Sequence, residues 1–190
     1  MGQIPGFVAQ ANYPYQVLPD GVYPCDEPDF RDIFVGGFEG SQSREAISEG
    51  FLKLRGEFTK LGISATQWVD GSFVETKLDP GDVDVVSYCD YDALNRLVAA
   101  VQDGVVQLVD GGEATKAAFQ THTFLVPSCS PGHPYHPIFE VYRSYWRQWF
   151  GKTRETPNPP GPDLPGHPKG FLQMTMGSSA PIVETGRSAP

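Results

Sequence analysis

Residues 82–86 read Asp-Val-Asp-Val-Val, and this run leaves the chain few ways to fold. Side chains alternate faces along a strand, so Val83 and Val85 are expected to enter a core while Asp82 and Asp84 share the opposite face. Aspartate is depleted in strands, and neighbouring like charges repel unless something lies between them. The run therefore predicts a sheet with one strand end that needs two carboxylates. Upstream, Gly71-Ser72 sits between two predicted strands, "SATQWV" and "DVDVVSY". Gly71 lets the backbone approach an anion closely, and Ser72 offers a hydroxyl and an N–H. Paired carboxylate oxygens suit Mg2+, which keeps positions open for substrate phosphates.

The rest of the chain supplies helices to brace such a sheet. "PDFRDIF" suggests a short helix with Pro28 near its first turn. Ile47, Phe51, Leu54, Phe58 and Leu61 form one apolar stripe at helical spacing, with Ser43 as N-cap and Gly62 as the stop. Asp90 is placed to cap a helix running through Leu94, Leu97, Val98 and Val101, and a second helix is expected around Ala114 to Phe119. "THTFLV" reads as a third strand ended by Pro127, and "GFLQM" as a late one. Ile138, Tyr142, Tyr145 and Trp149 predict a helix to Phe150 whose aromatics, Trp146 included, are mostly core. The expected organisation is an extended arm over 1–28, a domain over 29–176 and a disordered tail over 177–190. The fold class is α+β, a small mixed sheet flanked by helices.

Charge narrows the function. A formal net charge of -9 argues against bulk electrostatic binding of nucleic acid, which needs clustered Lys and Arg. One basic cluster stands out, Arg143 and Arg147 followed by Lys152 and Arg154, suited to substrate phosphates or an RNA. The charged outer face of an aromatic helix is the commoner origin of such a pattern. Lys77 lies between the Gly71-Ser72 turn and the Asp82–Asp84 run, where a lysine either touches a phosphate or is simply solvated. His133 and His136 are interleaved with prolines and read as a structural loop. Three cysteines without metal spacing predict reduced thiols. With no signal-peptide pattern and no apolar run of membrane-spanning length, a cytoplasmic protein is expected.

The order apolar-Gly-Ser, a gap, then Asp-apolar-Asp-apolar resembles the signature of the polymerase β-like nucleotidyltransferase superfamily. "LPDGVYPCDEPDFRDIF", "WVDGSFVETKLDPGDVDVV", "SPGHPYHPIFEVYRSYWRQWFG" and "PKGF" also resemble, in this order, blocks of a family of short bacterial and phage proteins of unknown function assigned that fold. The resemblance spans roughly residues 18 to 174. It implies transfer of a nucleoside monophosphate from a nucleoside triphosphate to an RNA or protein hydroxyl, in a toxin–antitoxin or phage-defence setting. It further implies two Mg2+ ions held at Asp82 and Asp84, with Gly71 and Ser72 on the phosphates and Lys77, Arg143 or Arg147 assisting. Active members carry a third carboxylate on a later strand, at the position of His122 here. Either His122 substitutes for it, or Asp110, Glu113 or Glu140 supplies it, or turnover is lost. The alternative function is a catalytically degenerate nucleotidyltransferase fold, acting as a nucleotide-binding or partner-binding antitoxin or sensor.

Overall fold

The structure is a computed structural model that describes residues 4–109, 113–154 and 166–182. Two short strands, β1 (Val8–Ala9) and β2 (Gln16–Val17), pair antiparallel as a separate ribbon. Strand β3 (Val22–Pro24) leads into α1 (Glu27–Arg31) and a π-helical turn over Asp32–Gly36. Helix α2 (Arg44–Lys60) and β4 (Ala65–Asp70) follow, then a single 3-10 turn over Ser72–Val74 and β5 (Val83–Asp90). Next come α3 (Tyr91–Arg96), α4 (Ala99–Leu108), α5 (Glu113–Phe119), β6 (Thr121–Ser128), α6 (His136–Phe150) and β7 (Phe171–Met176). The main sheet is ordered β3-β7-β4-β5-β6. In it β4 runs antiparallel to both β5 and β7, while β5 with β6 and β3 with β7 are parallel.

Apolar spacing sets the longer helices, and side-chain caps start α1 and α3. Asp26 caps α1 by accepting from the Asp29 N–H at 2.9 Å, and Pro28 occupies the first turn. Along α2, Ile47, Phe51, Leu54 and Phe58 are fully buried, as the stripe predicts. Its N-terminus differs from expectation: the Ser43 hydroxyl makes no capping bond, and Ser41 Oγ accepts from the N–H of Ser43 and Arg44 instead. Gly62 ends the helix with φ +73°, the left-handed region that glycine enters without strain. Asp90 Oδ1 caps α3 at 2.7 Å, but the expected single helix is broken at Leu97 and Val98 into α3 and α4.

Strand β6 is not ended by Pro127 but runs on to Ser128. It is an edge strand, where the missing proline N–H disturbs no neighbour. The late strand β7 lies inside the sheet, between β3 and β4. Two apolar layers flank the sheet. On one face Val69, Val83, Val85, Leu172 and Met174 pack with Phe30, Phe34, Phe51 and Phe73. On the other, Trp68, Val86, Tyr88, Val126 and Phe171 lie under Phe139, Trp146 and Phe150 of α6. Only part of the α6 aromatic set is core: Trp146 is buried, whereas Tyr142, Tyr145 and Trp149 are exposed, because Phe139, Trp146 and Phe150 form the face turned to the sheet. Among the described residues no helix is long and apolar enough to cross a membrane.

Candidate active site at one end of the sheet

Three polar residues form a row across the neighbouring strands β4, β5 and β6. Asp70 closes β4 opposite Asp84 of β5, and Asp84 lies opposite His122 of β6. Alternation places all three on the face of Trp68, Val86 and Phe124, one step beyond the apolar layer under α6. Asp84 is the centre of the row. Its Oδ1 is 3.2 Å from His122 Nδ1, and its Oδ2 is 3.5 Å from Arg154 Nη2. Burial pushes the Asp84 carboxyl upward; Arg154 and His122 pull it back, while the negative charge of Asp82 adds to the push. Asp82 itself is held by Lys116 Nζ at 2.8 Å.

The Gly-Ser turn lies directly against this carboxylate. Gly71 has φ +87°, and a Cβ placed there would sit 2.5 Å from Asp84 Oδ2. Glycine enters this conformation without strain and leaves room for the carboxylate. The turn is also held from outside by two buried cations. Lys169 Nζ contacts Glu75 Oε1 at 2.7 Å, Asp70 Oδ1 at 3.1 Å and the Gly71 carbonyl at 3.4 Å. Arg44, fully buried, donates to the carbonyls of Phe34, Phe73, Glu75, Lys77 and Leu78 at 2.6–3.2 Å. Its guanidinium also sits 3.5 Å from the centroid of the Phe38 ring. Within the Lys169 cluster, burial raises Asp70 to about 7 against the pull of the ammonium. The Lys169 ammonium is in turn held up by its two carboxylates, Asp70 and Glu75.

The fold thus gathers Gly71, Asp84 and His122 at one sheet end, with Asp82 immediately beside them. Ser72 opens the 3-10 turn next to Gly71. Lys77 lies in the following loop, where its carbonyl accepts from Arg44. Arg143 is elsewhere: it forks onto Glu140 at 2.6 and 3.0 Å. Both line a cavity of about 980 Å3 shared with Ile63, Cys89, Asp90 and Ser128, at the opposite end of the sheet. Arg147 pairs with Asp20 at 2.9 Å and lies over the Phe171 ring. Asp110 falls outside the described residues, as does the side chain of Glu113. Among the described residues, no three His, Cys, Asp or Glu groups gather as a ready ligand set for a metal.

Sequence reading passed over Asp70, Glu75 and Lys169. Asp70 stands before a glycine, where aspartate signals a turn. Lys169 is nearly a hundred residues distant in sequence, and its one trace is its place in the "PKGF" block.

Fold and site together define a mixed α+β domain with an acidic, cation-braced end to its sheet. The chain belongs to a family of unknown function, DUF6932, which it matches over residues 11–175. Neither the curated proteins nor the solved structures contain a match to it.

Proposed function

We propose that this chain is a Mg2+-dependent nucleotidyltransferase-like protein that moves a nucleoside monophosphate from a nucleoside triphosphate to an RNA or protein hydroxyl. The single observation that carries the reading is the contact between the Gly71 turn and the Asp84 carboxylate, because it brings a phosphate-accepting turn and a cation-accepting pair to one point. The donor chemistry fits magnesium. Asp82 and Asp84 offer hard oxygen ligands, and both now satisfy their charge with long cationic side chains, Lys116 and Arg154. Asp82 and Asp84 would hold the ion. Magnesium would there neutralise charge on the transferred phosphoryl group.

In this reading the chain's own groups have separate tasks. Gly71 lets the backbone approach the phosphates, and the Ser72 N–H and hydroxyl donate to them. His122, with Nδ1 turned to Asp84, keeps Nε2 to accept the proton of the attacking hydroxyl, the task of the carboxylate it replaces. The ordering of the antiparallel β4–β5 pair and the parallel β5–β6 pair, with the motif residues at their shared end, supports a nucleotidyltransferase-like fold. A cytoplasmic setting, as in toxin–antitoxin or phage-defence pairs, belongs to the same proposal.

The test is transfer of label from nucleoside triphosphates, with Mg2+, to cellular RNA or protein. Labelling is expected and is lost in Asp84→Ala; no labelling with any nucleotide or acceptor overturns the enzymatic reading. A second reading is favoured by one observation, that both aspartates already have cationic partners within the chain. This is a degenerate fold acting as an antitoxin or sensor. Calorimetry separates the two: nucleotide binding without turnover supports the second, and metal-dependent turnover removes it.

A further inference from the structure

Nine large apolar side chains are exposed among the described residues, and five of them lie on α6: Ile138, Val141, Tyr142, Tyr145 and Trp149. Their spacing of 3, 1, 3 and 4 places them in one stripe along the helix, facing away from the sheet. Each is about half exposed or more, from 48% at Tyr142 to 68% at Val141. The Tyr145 and Trp149 rings are already stacked, with centroids 6.2 Å apart and planes 18° from parallel. The other exposed positions on the helix, Pro137, Ser144 and Gln148, are uncharged as well. The ionisable residues of α6 sit at its flanks, where Glu140 pairs with Arg143 and Arg147 with Asp20.

This is an unusual face for a chain with a net charge of -9. RNA would want cations along such a stripe, and the face offers none. Two copies of the chain repel each other over most of their surface, but not here. A two-fold contact sets the same face against itself, and an uncharged face does so without bringing like charges together. The area is sufficient. Five side chains at these exposures present on the order of 600 Å2, so a face-to-face pair buries on the order of 1,200 Å2, the lower edge of stable interfaces.

We infer that the chain forms a two-fold homodimer through antiparallel packing of α6 against α6 of a second copy, with Tyr145 and Trp149 as its anchors. The inference is independent of the proposed transfer activity. The Asp84 end of the sheet stays open in it, since α6 meets its partner with the face turned away from the strands.

Sedimentation of the full chain over a range from sub-micromolar to high micromolar tests this. Twice the chain mass is expected at the upper end, with dissociation on dilution. Tyr145→Glu and Trp149→Glu are expected to weaken the dimer at least tenfold with the thermal transition of the monomer unchanged, since both side chains are half outside the fold. Val106→Glu, at an exposed apolar position on α4, leaves the assembly as it was. A second measurement uses Tyr142→Cys in a Cys129→Ser background. Position 142 is near the middle of the stripe, so oxidation links two chains through it. A chain monomeric at every concentration, or a dimer indifferent to Tyr145→Glu, overturns the inference.

Discussion

Lys169 and Glu75, 94 positions apart in sequence, meet at 2.7 Å with each side chain only 3% exposed. The same ammonium reaches Asp70 and the Gly71 carbonyl, so one lysine from the segment before β7 spans both ends of the Gly-Ser turn. A buried ion pair contributes little net stability when complete, yet removing one partner leaves an uncompensated charge. Arg44 does the equivalent work one step further along the loop, with backbone carbonyls as its partners.

Lys169→Met is expected to destabilise the fold by about 3–5 kcal/mol, the usual cost of stranding a buried charge. Urea unfolding measures it. Adding Glu75→Gln removes one of the two carboxylates left without their cation, Asp70 being the other, and is expected to recover part of the loss. If Lys169→Met alone unfolds at the wild-type midpoint, the cluster does not hold the turn.

Gly71→Ala meets two obstacles, a φ of +87° and a Cβ 2.5 Å from Asp84 Oδ2. A loss on the order of 1–2 kcal/mol is expected from the backbone conformation alone. The Asp84 carboxylate must also shift, so the His122 ring should report a changed environment by NMR. An unchanged histidine spectrum would mean that turn and carboxylate are not in contact.

Asp70 gives stability a pH dependence of definite sign. Its carboxyl lies at about 7 in the folded chain, against roughly 3.9 when unfolded. Between those values the folded state keeps a proton that the unfolded state has lost. Stability contributed at this site therefore falls as pH rises from about 4 to about 7 and is level above that window. Comparing denaturation midpoints across this window, Asp70→Asn should flatten the slope relative to wild type. An identical slope in the two proteins places the titration elsewhere.

His122→Asp restores a carboxylate opposite Asp84 in register. If the site holds Mg2+, calorimetry should show tighter binding in the variant than in wild type, by about tenfold or more for one added charged ligand. If the aspartates serve no cation, a third one only adds repulsion. Stability then drops, and Mg2+ does not restore it.

How much of this was legible beforehand differs from residue to residue. The α2 stripe, the Gly62 stop, the Asp90 cap and the strands on either side of the Gly-Ser turn rest on interactions within a few positions, and spacing alone reveals those. The aromatics of α6 were harder. Helical period shows that Tyr142, Tyr145 and Trp149 share a face, but not which face the sheet takes. Phe139, Trp146 and Phe150 took it, and the expected core became surface.

The site divides in the same manner. Alternation along one strand was enough to put Asp84 on the face opposite Val83 and Val85, because neighbouring side chains in a strand have no other choice. Which groups answer Asp84 was settled by strand order. Inserting β7 beside β4 brought Lys169 to Asp70, and laying β6 beside β5 brought His122 to Asp84. Local sequence fixes backbone preference and face. Partners across a sheet depend on chain ends meeting over long loops, and only the folded packing energy selects those.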